Sequence, residues 1–301
     1  MKFFWLLQPP RSGGTLFLRL LDGSDKIFVF PVALRFKYRI WPNKKKINKR
    51  DYLKIFRLIN LKKFIKNGIL KQSSNIKQKN HQFFFDIKKH NYQLKKVLKR
   101  KISLKKFIVS FFIYFFQNWK NYKSKKNKKI IISHTTLSNP KYFETNFVNF
   151  TNTFDDGKII IIIRKPLPWF NSSKKLRSRS PFINQSDTYI YKYYLSFFST
   201  VLKCYDSKKI IIISFEDLIL RTENTLKKIS KLMKIKFSKS MLLPTFNNES
   251  TTPNSSFQLN LSGKIYKKVV NRKSFLKINK NSKKLLQQAN LVYKKLCEKK
   301  I

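Results

Sequence analysis

The chain has 301 residues, 42% of them apolar, with 67 Lys and Arg against 14 Asp and Glu for a formal net charge of +53. That balance excludes the mixed-sign surface of an ordinary soluble enzyme and calls for an anionic partner, although part of the Lys, Asn, Ile and Phe excess is what an AT-rich coding sequence produces. The only cysteines, Cys204 and Cys297, lie far apart, which excludes a disulfide framework and a metal spacing and fits a reducing compartment.

The first predicted element is a buried strand over Lys2 to Leu7, broken by Gln8-Pro9-Pro10, so this apolar run reads as core and not as a secretory signal. Leu16 to Leu21 reads as a helix stopped by Asp22-Gly23. The stretch between them, PPRSGGT, is then a strand-to-helix turn. Gly13 and Gly14 let backbone N–H groups approach a ligand, and the helix start adds unpaired N–H groups and partial positive charge, the makings of an anion site. An ordinary turn packing a first strand on a first helix would also read this way. GxxxxGK[ST] is absent, since the basic residue, Arg11, precedes the glycines.

Residues 44–128 read as a basic helical insertion. Between Lys44 and Lys129 the only acids are Asp51 and Asp86, and in DYLKIFRLINLKKFIK the residues Leu53, Phe56, Ile59, Leu61, Phe64 and Ile65 form one broad apolar face. Such helices either lie against anionic lipid or a polyanion, or pack on the domain and leave their lysines solvated. KQSSNIKQKN and KSKKNKK read as bounding loops, and His81 and His90 as solvated residues. FIVSFFIYFF, at 107–116, is shorter than the roughly 20 apolar residues that span a bilayer, so no transmembrane helix is expected.

Beyond Lys129 come short Ile-rich runs, KIIISHTT (129–136), KIIIIIRKP (158–166) and KIIIISFEDL (209–218), the pattern of strands buried on both faces of a parallel sheet. Helix patterns lie among them, one from Thr222 to Met233 with Thr222 as cap and Leu226, Ile229, Leu232 and Met233 on one face. The expected architecture is one α/β domain over 1–301, a mostly parallel central sheet flanked by helices. Ligands bind at the carboxyl ends of such strands, where the sequence places PPRSGGT, SHTT and RKPLPWFNSS. Asp155-Asp156-Gly157 reads as a turn and Glu216-Asp217 as a strand-end fixture, and acids are too scarce to build a metal site.

Taken in order, these strand ends resemble the sulfotransferases that use 3′-phosphoadenosine 5′-phosphosulfate (PAPS), in particular their bacterial branch with its P-loop-like fold. PRSGGT at Pro10 to Thr15 is similar to the family's P-[KR]-S-G-T-T loop, with Arg11 at the basic position and Gly14 in place of the first Thr. IIIIIRKPLPWFNSS repeats the family's spacing of a strand-end Arg164, then Pro166, then Ser172. ISFEDL and the late PTFNNESTTPNSSF stretch (244–257) extend the resemblance, which leaves Lys44 to about Lys128 uncovered. It implies that Arg11, Ser12, Gly13, Gly14 and Thr15 cradle the phosphosulfate. Arg164 and Ser172, the latter donating from the start of a helix, would hold the 3′-phosphate. Arg11 would stabilise the leaving group, and His134 would be the base that takes the acceptor proton, unless it only caps its strand.

The expected activity is sulfuryl transfer to a hydroxyl, or an amine, of a glycan or lipid-linked acceptor, in the cytoplasm and peripherally on the cytoplasmic membrane face. PAPS is the anionic co-substrate, and no specific nucleic-acid partner is expected. The competing readings are a nucleic-acid- or polyanion-binding basic protein, and a P-loop kinase relative, which would need a Lys directly after the glycines.

Overall fold

The computed structural model describes residues 1–33, 41–51, 65–66, 69–70, 84–120, 122–123, 128–137, 139–175, 182, 185–251, 259–260, 263–265, 267 and 280–301. Strand β1 (Lys2–Gln8) leads into helix α1 (Gly14–Asp22) and strand β2 (Ile27–Ala33). Helices α2 (Ile87–Val97) and α3 (Leu104–Gln117) precede β3 (Ile130–Thr136), α4 (Phe143–Thr153) and β4 (Lys158–Ile163). Then come α5 (Pro166–Lys175), α6 (Asp187–Lys203), β5 (Ile210–Ser214), α7 (Phe215–Leu220), α8 (Thr222–Met233) and α9 (Lys280–Cys297).

The five strands form one parallel sheet in the order β2-β3-β1-β4-β5. Alternation along each strand sends side chains to two separate cores. Phe3, Trp5, Leu7, Ile159, Ile161 and Ile163 face α3, α4, α6 and α9, while Phe4, Leu6, Ile160 and Ile162 face α1, α7 and α8. Both faces are covered, which is why Ile159 to Ile163 of β4 form an unbroken run of Ile: each such side chain, fully buried, contributes roughly 1.5–3 kcal/mol. Strand β2 was not expected, because Pro31 interrupts its apolar run. It lies at the sheet edge, and its register against β3 shifts between Val29 and Ala33, the setting in which a strand tolerates proline.

The basic segment is built into the core where it is described. FIVSFFIYFF lies within α3, whose Phe107, Phe111, Phe112, Phe115 and Phe116 are buried; Phe112 meets Phe3 of β1 at 5.3 Å and Phe30 of β2 at 4.9 Å between ring centroids. Among the described residues, no helix is long and apolar enough to cross a membrane.

Four local expectations are corrected. His90 is fully buried among Phe85, Phe111 and Phe115, with Nε2 donating to the Phe111 carbonyl (3.3 Å), because its place on α2 faces α3 and not solvent. Thr222 does not cap α8: its hydroxyl donates back to the Leu218 and Ile219 carbonyls of the preceding helix. Leu232 stays 38% exposed, off the face that buries Leu226, Ile229 and Met233. Ile65 belongs to a short antiparallel hairpin, Ile65–Lys66 with Ile69–Leu70, the sequence between carrying Asn67-Gly68, a strong hairpin signal. The apolar face from Leu53 to Phe64, His81, KQSSNIKQKN and the NSSF end of the late loop lie outside the described residues.

Candidate active site

Strand β1 is central, with β3 and β4 as its two neighbours, so the carboxyl ends of all three open side by side. The loop leaving β1 turns sharply. Arg11 has φ +66°, unusual for a residue with a side chain, and its carbonyl accepts a hydrogen bond from Arg164 Nη1 (3.0 Å) at the end of β4. Gly13 follows at φ +100° as the N-cap of α1, and a Cβ there would enter the Phe215 ring. No side chain caps α1 and no acid lies in its first turn, so its first N–H groups and positive dipole end are turned toward the loop. Thr15 is exposed on that turn.

The predicted cations meet here. Arg11 Nε donates to Ser172 Oγ (3.1 Å), closing β1 onto α5, and the Arg164 guanidinium lies over the Phe215 ring, 4.4 Å from its centroid. Ser172 sits in the second half of α5 and not at its start: α5 begins at Pro166, and its body, not its N-terminus, faces Arg11. Burial pushes the pKa of Arg164 down to about 10, with nearby Glu216 opposing and Arg11 adding to the shift; burial lowers Arg11 as well. Arg164 therefore keeps its charge at neutral pH, beside a cation of like sign. Among the described residues, Ser12 Oγ, Arg164 Nε and Gln8 Oε1 are buried with no hydrogen-bond partner. Buried donors without acceptors are costly, and two cations with a buried hydroxyl and a free helix start fit an oxyanion.

A rigid frame holds these groups. Trp169 Nε1 donates to the Pro10 carbonyl (2.8 Å) and the Tyr194 hydroxyl to the Arg164 carbonyl (2.9 Å). Glu216 is the strand-end fixture that was expected: its carboxylate accepts from Lys165 N (3.0 Å), Ser214 Oγ (3.1 Å) and the Tyr293 hydroxyl of α9 (3.1 Å). Among the described residues no group of His, Cys, Asp and Glu is placed to hold a metal ion.

His134 lies within β3, paired in register with Leu6 and half-buried, and alternation puts it on the α1 face with Ile130 and Ile132. It is thus near the strand end but inside the ladder, two residues before Thr136, which pairs with Gln8. The sequence reading did not single out Gln8, Phe215, Trp169, Tyr194 or Tyr293. Only Gln8 carried a local signal, a polar residue closing an otherwise apolar strand.

No protein-family model and no curated protein matches the chain in sequence. Among solved structures, a sulfotransferase domain from the curacin biosynthetic pathway superposes with a TM-score of 0.56 at 14% identity, over 96% of this chain and 97% of that one. The sulfotransferase domain of the Synechococcus PCC 7002 olefin synthase gives 0.55 at 13% identity, over 95% and 94%. With its parallel sheet and the loop between β1 and α1, the chain has the fold of the sulfotransferase domains.

Proposed function

We propose that this chain is a sulfotransferase that moves the sulfuryl group of PAPS to a hydroxyl, or an amine, of a glycan or lipid-linked acceptor. The observation that carries the reading is the meeting of Arg11, Ser172 and Arg164 at adjoining strand ends, beside the uncapped start of α1. Arg164 and Ser172 hold the 3′-phosphate of the nucleotide. Ser12, Gly13, Gly14, Thr15 and the first N–H groups of α1 hold the phosphosulfate end.

Sulfuryl transfer asks the protein mainly for alignment and charge stabilisation. As the sulfur–oxygen bond to the 5′-phosphate breaks and one to the acceptor oxygen forms, Arg11 neutralises the leaving phosphate and His134 takes the acceptor proton. The surface of the basic segment supports an acceptor held at an anionic membrane face: Lys88, Lys89, Lys95, Lys96, Lys99, Arg100 and Lys101 are exposed, with Tyr92 67% exposed among them.

Isothermal titration at moderate salt with the product nucleotide PAP (3′-phosphoadenosine 5′-phosphate), and with AMP as control, tests the reading. Binding of PAP with AMP much weaker is expected. Equal binding of the two would remove the 3′-phosphate site and favour a general polyanion binder.

A further inference from the structure

We propose that the carboxamide of Gln8 is a ligand-binding group of this site, supplying from β1 a hydrogen-bond donor that position 14 does not carry. The inference rests on the site being the cradle for the phosphosulfate end of PAPS.

The two glycines of the loop are there for different reasons. Gly13 has the left-handed φ that side chains avoid, whereas Gly14 does not. What Gly14 requires is space: an added Cβ would fall onto Nε2, Cδ and Oε1 of Gln8, all well inside van der Waals contact. The amide of Gln8 is therefore laid flat against the first residue of α1. Gln8 is 6% exposed, follows the apolar run from Phe3 to Leu7, and has its backbone carbonyl engaged by Leu137 N (3.0 Å).

A buried carboxamide with an unpartnered oxygen is a poor choice for packing alone, since a leucine fills similar volume without desolvating a polar group. Its neighbour in the loop, Ser12, is likewise buried with an unpartnered hydroxyl. Nε2 is the amide atom nearest the Cβ position of Gly14, so the NH₂ group is placed beside the helix start to donate to an oxyanion there. Gln8 and Gly14 are then a complementary pair. A threonine at position 14 would bring its own hydroxyl but could not coexist with Gln8.

The test uses the full chain and two probes: PAP, followed by titration, and inorganic pyrophosphate, followed by the shift in Tm. Gln8→Leu, which keeps the volume, should weaken both responses about tenfold, the loss expected for one hydrogen bond to an anion. Gly14→Thr alone should lose at least as much. Combining Gly14→Thr with Gln8→Ala should restore PAP affinity to within about threefold of wild type, a non-additivity expected of residues in contact. Responses of Gln8→Leu within twofold of wild type would overturn the proposal, as would a double variant no better than Gly14→Thr. Should Gly14→Thr not fold, Gln8→Leu decides. A wild type that binds pyrophosphate but not PAP would end the PAPS reading, and a loss of that response in Gln8→Leu would still uphold Gln8.

Discussion

Helix α1 has buried charge at both of its ends, and the two ends are completed in opposite ways. At its C-terminal end Asp22 accepts from Thr245 Oγ1 and Asn248 N (2.9 Å each) and faces Arg19, whose guanidinium lies over Phe246 at 4.3 Å. Buried Lys128 stands close by, donating to the Ile27 carbonyl (2.8 Å) and the Tyr122 hydroxyl (2.7 Å). Burial raises the Asp22 pKa while its hydrogen bonds and the two cations pull it back. At the N-terminal end two arginines approach each other, and among the described residues Ser12, Gln8 and Arg164 each leave a polar atom unanswered. Charge answered within the protein is architecture. Polar atoms left unanswered are what the proposed site would offer a ligand.

That contrast can be broken at several points. His134→Ala should lower sulfuryl-transfer turnover by about 10²–10⁴-fold, the usual contribution of a general base, with PAP affinity unchanged. Turnover within a few-fold of wild type would take His134 out of the chemistry. Asp22→Ala should cost about 3–5 kcal/mol in urea denaturation, because it strands Arg19 in a buried place, while the remaining folded protein still binds PAP. Arg164→Ala should do the reverse, weakening PAP by about 100-fold, or about 2.7 kcal/mol, with little change in the urea midpoint. If Arg164→Ala instead unfolded the protein, both ends of α1 would be architecture.

A fourth measurement sharpens the contrast between two histidines. Burial pushes the His90 pKa down to about 4, below the ordinary value near 6.5. Its unfolded form therefore binds more protons between those values, so stability is complete above pH 6.5 and is lost as pH falls toward 4. About 2 kcal/mol should disappear between pH 6 and 4.5, and His90→Leu should flatten that slope without touching turnover. The smallest effect is expected on the outer face of α2: Lys88→Glu with Lys95→Glu should weaken sedimentation with anionic liposomes by about 2 kcal/mol or less at low salt, and by nothing at high salt.

Much of this arrangement was legible from residue order alone. The β1 strand, the glycine turn, the runs of three to five isoleucines in the later strands and the placing of Arg11 and Arg164 at strand ends all follow from local pattern and turn chemistry. What was not legible depends on partners distant in sequence. Pro31 hid β2 because only the fold reveals an edge. His90 looked solvated because its lysine neighbours are, and only the docking of α2 on α3 buries it. Phe215 and Tyr293 gain meaning from residues they touch across the sheet, and Thr222 resembled a cap until the preceding helix offered it carbonyls.

Arg11 and Ser172 are 161 residues apart, and Arg164 reaches back 153 residues to the Arg11 carbonyl. Contacts this distant in sequence form only when the sheet is assembled, so affinity for the proposed anion would be a property of the folded chain. Binding then acts on the folding equilibrium of the whole: at a nucleotide concentration 100 times its Kd the native state gains about 2.7 kcal/mol. On the proposed reading, the folded population of this chain would therefore rise with the supply of that nucleotide.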